Sequence, residues 1–305
     1  MIPHFIQILI NNSGFDRSCL FYSMSFINHN GKIIPAATPI ITADNRGLRF
    51  GDGLFETMKY KNETIILADE HLARLWQGLK LLDFEIPRLF TPDRLESEIL
   101  SLIRKNNLKE ARIRLTIYRS DGGLYDPNNL LPNYIIQTYS LPETNGRWNE
   151  NGLHVCFYEL MYKPNDAFSK LKHNNFLPYA MAALFAKKNK CNDAILFNPE
   201  KHVTDSTIAN VFIIIGDAIY TPSVSDGCVE GVMRNVIIRQ LRSIGYKLTE
   251  TSITKEMLLQ AEELFVTNSI YNLRWVSNLE EKKLGHKITR KIFLELSETI
   301  PELFC

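Results

Sequence analysis

The sequence predicts a mixed α/β fold in two domains, built from strands and helices with short connections. Three observations carry this expectation. Strand patterns such as the alternating "ARIRLTIY" and the apolar "DAILFN" interleave with helix-period patterns, a polar turn-rich break separates two such runs, and 305 residues suffice for two domains of ordinary size. The expected layout is an extension at 1–23, a smaller N-terminal α/β domain at 24–139, a linker at 140–152 and a larger C-terminal domain at 153–305.

The elements justify themselves in chain order. Residues 1–23 carry a short apolar patch, Phe5 to Ile10, with no basic residue before it. That patch is too short and too poorly flanked for a signal peptide or a membrane span. From Met24 the text "MSFINHNGKIIP" is a strand, turn, strand signal, so Met24 is the expected start and 1–23 an upstream translation or disordered extension. Leu72, Leu75, Trp76, Leu79 and Leu82 recur at helical spacing after Asp69, the expected N-cap, and Pro87 lies beyond the end. "ARIRLTIY" and "NYIIQTYS" are strands joined by the long loop "RSDGGLYDPNNLLP". Loops of that length inside a compact domain are often functional.

The stretch "LPETNGRWNENG", 141–152, lacks periodicity and reads as the linker. Beyond it come the strand "LHVCFYEL" and a helix within "NNFLPYAMAALFAKKNK", with Phe176, Ala180, Ala183 and Leu184 on one face. "DAILFN", "IANVFIII" and "AIYTP" read as a meander. "EGVMRNVIIRQLRSIG" is a helix closed by Gly245, followed by "YKLTETSI", "KEMLLQA" and "ELFVTN" as strand, helix and strand.

Composition narrows the function. Hydrophobic content of 45% and charged content of 23% describe a soluble globular chain. With 35 basic and 34 acidic residues and a net charge of +1, the chain has no basic stripe for a phosphate backbone, so nucleic acid is excluded as the expected partner. Cys19, Cys156, Cys191, Cys228 and Cys305 are odd in number, scattered and without a C-x-x-C pair. They read as reduced thiols of a cytoplasmic protein.

Three features of the second half could carry chemistry. The helix opening at Gly231 presents free N–H groups near Val232 and Met233, an arrangement that binds phosphate or merely turns the chain. Lys170 and Lys172 in "SKLKHNNF" stand before an apolar helix, either as solvated charges or as an amine able to form a Schiff base. Asp205 stands at the mouth of an apolar strand, either as a turn former or as the partner of a buried cation. An amine, a phosphate cradle and an acid are together the protein parts that pyridoxal phosphate requires.

From Asp205 to Arg234 the chain resembles the class IV aminotransferases, the fold-type IV pyridoxal-phosphate enzymes. The resemblance rests on Thr207, Asn210, Val211, Phe212, Ile219, Thr221, Val229, Gly231, Val232 and Arg234 at the typed positions of the signature. It extends to "DNRGLRFGDGLFETMK" at 44–59, "DEHLARL", "LKHNN" and "ELFVTNS", and so covers most of the chain from Met24. The family's two-domain fold, with the cofactor site between the domains, is therefore expected.

The resemblance implies roles position by position. Lys172, rather than Lys170, is the lysine that carries pyridoxal 5'-phosphate and moves the proton at the substrate α-carbon. Asp205 is the acid opposite the pyridine nitrogen; Val232 and Met233 give backbone N–H groups to the phosphate, Ser269 a hydroxyl and Arg74 a charge-assisted pair. The family acid is usually Glu, and Asp is shorter by roughly 1.5 Å. By helical phase alone Arg74 lies away from the Leu72, Leu75 and Leu79 face and would be solvated.

"KHNN" and "RSDGG" look most like the aminodeoxychorismate lyases, which release pyruvate from 4-amino-4-deoxychorismate to give 4-aminobenzoate, a folate precursor. A branched-chain or related amino-acid transaminase is the alternative, and a cofactor-binding protein without turnover is the third reading. No histidine stands in "RSDGGLYDP", against a D-amino-acid transaminase. Arg119 is the candidate for the substrate carboxylate. The family resemblance also implies a homodimer with a loop shared between subunits.

Overall fold

The computed structural model describes residues 25–141 and 145–304. The segment 1–23, the expected start at Met24, and Cys305 lie outside the described residues.

Strands β1 (Phe26–His29), β2 (Lys32–Pro35), β3 (Gly53–Lys61), β4 (Thr64–Ile66), β5 (Ala111–Arg119) and β6 (Pro132–Ser140) form a six-stranded antiparallel sheet in the order β2-β1-β6-β5-β3-β4. Helix α1 (Arg46–Phe50) leads into β3, and α2 (Ala68–Leu81) and α3 (Pro92–Lys105) cover one face. Period two on β5 sends Ile113, Leu115 and Ile117 into a core with Leu72, Leu75 and Leu79 of α2 and Leu95, Ile99 and Leu102 of α3. Trp76 completes that α2 face by stacking on Phe90, with centroids 5.3 Å apart.

Two local expectations change here. The residue before α2 is Leu67 in the left-handed region (φ 56°), with no side-chain cap, so Asp69 is a first-turn residue favourable to the helix dipole and not the N-cap. Helix α3 was not anticipated, although Thr91 caps it through Arg94 N–H at 3.3 Å and Pro92 occupies its first turn.

The chain crosses to the second sheet between Ser140 and Leu153. Strands β7 (Leu153–Tyr158), β8 (Asp193–Phe197), β9 (Val203–Ser206), β10 (Asn210–Ile215), β11 (Ala218–Pro222), β12 (Lys247–Thr251), β13 (Glu263–Asn268), β14 (Asn272–Leu279) and β15 (Lys282–Lys283) form a nine-stranded mixed sheet. Its path is β12-β11-β10-β13-β14-β7-β8-β9, with β15 on β14. The helices of this part are α4 (Leu177–Lys188), α5 (Val232–Ser243), α6 (Lys255–Gln260), α7 (Lys287–Thr299) and α8 (Pro301–Phe304). Gly245 sits just past α5 at φ 91°, where its lack of a Cβ permits the left-handed stop.

The expected meander is interrupted. Strand β9 pairs with β8, whereas β10 pairs with β11 and β13. Asp205 therefore lies on its own short strand, and the chain reverses after it through Ser206 N–H to Ala209 O at 2.8 Å. The buried residues of α4 are Tyr179, Ala182 and Ala186; of the expected face of Phe176, Ala180, Ala183 and Leu184, Phe176 packs against them at the N-cap and the other three are exposed. Apolar residues surround this helix, so periodicity could not choose its inner side. Leu177, Met181 and Leu184 instead form an exposed stripe at 57%, 41% and 52% accessibility.

The two sheets are joined by main chain. Phe55 N–H donates to Lys172 O at 2.9 Å, Asn174 N–H donates to Gly53 O at 2.9 Å, and Leu54 bridges His173. Leu171 enters the first core and Ile66 the second, so each hydrophobic core borrows a residue from the other half. Among the described residues no helix is long and apolar enough to cross a membrane.

Candidate active site

A cavity of about 490 Å³ opens between the sheets, and Arg74, Lys172, Asp205, Val232, Met233 and Ser269 all line it. The three weak signals of the sequence thus converge in one place. Arg119 does not join them.

Lys172 reaches the cavity because its backbone continues the β3 ladder. That strand can approach only because residue 53 is glycine: a Cβ there would lie 2.1 Å from Ile117 O and 2.6 Å from Asn174 Nδ2. The Lys172 ammonium lies 4.6 Å from the Phe55 ring centroid and has no hydrogen-bond partner among the described residues. Burial lowers its pKa, the Arg74 charge lowers it further, and Glu56 and Asp205 offset part of the effect, leaving it at about 8. An amine so tuned is a usable nucleophile and base near neutral pH. Lys170 is exposed, and its carbonyl accepts from Glu230 N–H at 3.0 Å.

Arg74 projects from α2 toward the mouth of α5. Its Nε donates to Glu56 Oε1 at 2.8 Å, its Nη2 to Glu56 Oε2, and its Nη1 to Glu230 O at 2.9 Å. Its side chain is 13% exposed, so the solvated position expected from helical phase is corrected: β3 brings Glu56 beneath α2 and draws the arginine inward. Burial alone would raise the Glu56 carboxyl, but Arg74 and a hydrogen bond from His71 Nδ1 at 2.7 Å outweigh it and hold the pKa at about 2. Burial lowers His71, so its neutral form donates from Nδ1 to the carboxylate.

Opposite Arg74, α5 begins with Gly231 at the N-cap and no side-chain cap, so its first N–H groups remain free at the cavity wall. Glycine is required, because a Cβ at 231 would lie 2.0 Å from Asn210 Oδ1. Thr267 Oγ1 is buried in the same wall without a partner among the described residues. A cationic guanidinium, a free helix N-terminus and an unpartnered hydroxyl fit a phosphate group. Arg234, the last residue of the signature, instead ties α5 to Pro222 O at 2.8 Å and Glu250 Oε2 at 2.9 Å.

Asp205 is 2% exposed and carries four donors. Lys163 Nζ at 2.9 Å and Tyr179 Oη at 2.7 Å reach Oδ2, Asn210 Nδ2 reaches Oδ1 at 2.9 Å, and Val229 N–H reaches Oδ2 at 3.1 Å. Its burial is thus offset within the protein by a lysine, where a cationic ligand had been the expected partner. Burial and the Asp205 charge push the Tyr179 hydroxyl well above its ordinary value, so it donates as a neutral phenol.

Arg119 is buried on the far face of β5. Its Nε donates to the Asp52 carboxylate at 3.1 Å, Nη1 to Asp83 O at 3.2 Å and Nη2 to Leu82 O, and its guanidinium stacks 4.0 Å from the Phe84 centroid. Strand parity is the cause: residue 119 shares its face with Ile113, Leu115 and Ile117. The opposite face presents Arg112 and Arg114 to the cavity, 4.7 Å from the Tyr139 centroid and 4.0 Å from the Phe55 centroid. Neither has a carboxylate within ion-pair distance among the described residues. The alternation in "ARIRLTIY" was the signal that could have found them; Thr267 lies within "ELFVTNS", two positions before Ser269, and nothing local marked Lys163.

The family model for amino-transferase class IV matches residues 53–279. The chain is 29% identical over 259 residues to an aminodeoxychorismate lyase of Vibrio harveyi, covering 81% of this chain and 92% of that protein. It is 27% identical over 258 residues to a branched-chain-amino-acid aminotransferase of Pseudomonas aeruginosa, covering 82% of each. A T.th. branched-chain amino acid aminotransferase solved with pyridoxamine 5'-phosphate has the same fold, with a TM-score of 0.80, 22% identity and coverage of 90% and 93%. With the signature, the cavity and the phosphate-fitting wall in agreement, the chain belongs to the class IV aminotransferases, enzymes that work with pyridoxal 5'-phosphate.

Proposed function

We propose that this enzyme is a 4-amino-4-deoxychorismate lyase, releasing pyruvate to give 4-aminobenzoate. The observation that carries the reading is the pair Arg112 and Arg114, two guanidinium groups without a carboxylate partner among the described residues, on one wall of the cavity that holds Lys172. The lyase substrate bears two carboxylates, one on the ring and one on the enolpyruvyl ether, and arginine is the side chain suited to each. The resemblance of "KHNN" and "RSDGG" to the lyases supports the same choice.

Lys172 carries the cofactor and moves the proton of the carbon that bears the substrate amine. Asp205 faces the ring nitrogen, and Arg74, Ser269 and the Val232 and Met233 N–H groups hold the phosphate. When bound, the cofactor supplies a conjugated ring that withdraws electrons from that carbon. Phe55 and Phe176 flank the Lys172 amine and limit its hydration. In the lyase reaction the C–O bond to the enolpyruvyl group breaks, its electron pair leaves with the oxygen, and a proton taken up at carbon completes pyruvate.

A branched-chain or related transaminase is the second reading, favoured by the comparable identity to a branched-chain aminotransferase. The arginine pair would then receive the dicarboxylic partner of the exchange. Incubation with 4-amino-4-deoxychorismate, and separately with branched-chain amino acids and 2-oxoglutarate, separates these readings. Aminobenzoate without glutamate supports the lyase, glutamate supports the transaminase, and neither product supports a cofactor binder without turnover. The exposed stripe Leu177, Met181 and Leu184 supports the homodimer that the family resemblance implies, with sedimentation at working concentration as its test.

A further inference from the structure

Two neighbouring turns form part of the main cavity wall. Residues 206–209 leave β9 directly after Asp205 and return the chain to Asn210, and residues 268–271, which include Ser269, lead from β13 into β14. The β10–β13 ladder ends at the pair Asn210 and Thr267, so strand pairing does not fix one turn to the other.

Among the described residues a single hydrogen bond spans the two turns: Asn268 Nδ2 donates to Ile208 O at 3.3 Å. The same side chain shapes its own turn, since Oδ1 accepts from Ile270 N–H at 3.0 Å and from Tyr271 N–H at 2.8 Å. Two N–H donors on one atom identify it as the oxygen, which leaves the amide nitrogen for Ile208. The first turn is closed by Ser206 N–H to Ala209 O at 2.8 Å and held from outside by Thr207 N–H to the buried Asp193 Oδ1 at 2.9 Å. At its end Asn210 Nδ2 reaches back to Asp205 Oδ1 at 2.9 Å. The position of Ile208 is thereby tied to that of the acid.

Packing does not set the separation of the turns. A second cavity of about 170 Å³ lies against them, lined by Asp193, Ile208, Ala209, Asn268 and Tyr271, and Ile208 is 59% exposed. With no close-packed side chains at their back, the turns depend on the Asn268 bridge.

We infer that Asn268 is a positioning residue: by bridging the two turns it fixes the distance between the acid that faces the cofactor ring and the serine that holds the cofactor phosphate. The inference rests on the reading of Asp205 and Ser269 as those two contacts. A ligand gripped at both ends depends on that distance, whereas a ligand gripped at one end does not.

The test uses full-length wild type, Asn268→Ser and Asn268→Ala, each freed of cofactor, with pyridoxal 5'-phosphate, pyridoxal and inorganic phosphate as probes. Serine keeps a short acceptor for its own turn but cannot reach Ile208, alanine loses both contacts, and neither adds charge beside the phosphate. Borohydride reduction and peptide mapping of wild type come first. Absence of a pyridoxal-phosphate adduct on Lys172, or of competition by inorganic phosphate, overturns the reading of the site itself. With both present, each variant is expected to bind pyridoxal 5'-phosphate roughly 3- to 10-fold more weakly, the effect of one lost hydrogen bond, with Kd for pyridoxal and for phosphate at wild-type values. Weakening of pyridoxal or phosphate by the same factor reports a general loss of structure and overturns the inference. So does undiminished affinity for pyridoxal 5'-phosphate in the serine variant, which decides alone where the alanine variant fails to fold.

Discussion

Phe55 N–H donates to Lys172 O at 2.9 Å, so the lysine that lines the cavity is held by β3 of the six-stranded sheet. The candidate active site is consequently a product of the packing between the two halves. Disturbing that ladder should disturb the lysine.

Gly53→Ala tests this. A methyl group 2.1 Å from Ile117 O must displace backbone, at a cost of roughly 1–3 kcal/mol or more. The expected outcome is a lowered melting temperature together with slower cofactor capture, read by the growth of the yellow absorbance. Unchanged capture would mean that the ladder does not position Lys172.

Lys172→Ala is expected to abolish the yellow colour, and Lys170→Ala to keep it. Only the neutral amine attacks an aldehyde, and Lys172 becomes neutral as pH rises through about 8. Capture of pyridoxal phosphate by the cofactor-free protein should therefore accelerate between pH 7 and pH 9 and level off above. Stopped-flow absorbance measures it.

Arg112→Ala and Arg114→Ala should each raise KM for the carboxylated substrate by roughly 10- to 100-fold while leaving cofactor binding intact. Arg119→Met is expected to act on stability, because it strands the Leu82 and Asp83 carbonyls and leaves the Asp52 carboxylate with Arg46 alone. Steady-state kinetics alongside thermal melts distinguish the two classes.

Glu56→Gln removes the charge that holds Arg74 by two hydrogen bonds. A buried cation left without its anion costs about 3–5 kcal/mol, and the freed guanidinium loses its aim at the α5 N-terminus. The expected result is a destabilised protein with a raised Kd for pyridoxal phosphate, measured by equilibrium dialysis. Retained affinity would show that Arg74 orients without Glu56.

Lys59 is buried without a carboxylate partner among the described residues, donating to Asn272 Oδ1 at 2.9 Å and Leu303 O at 3.2 Å. Burial lowers it to about 8, from 10.5 when unfolded. Between those values the unfolded chain binds more protons than the folded one, so this group's contribution to stability rises with pH by about 3 kcal/mol across that window. Relative to Lys59→Met, wild type should gain stability from pH 8 to pH 10, as read by denaturant unfolding at each pH.

The sequence by itself determined the fold class and the family and singled out Lys172, Asp205, Arg74, Ser269 and the α5 entry, which line one cavity, because these are typed residues at fixed spacing or patterns of period two and 3.6. Contacts between distant segments were decided only by the tertiary structure. Strand parity and sheet packing turned Arg119 away from the cavity and Arg112 and Arg114 toward it. An apolar α4 took its inner face from its neighbours rather than from its own period. Lys163, separated from Asp205 by 42 positions, became its ion-pair partner at 2.9 Å. Local patterns specify which element forms, because each residue's backbone preference is short-ranged. Charge pairing across the core depends on which elements meet, and no single stretch of sequence contains that information.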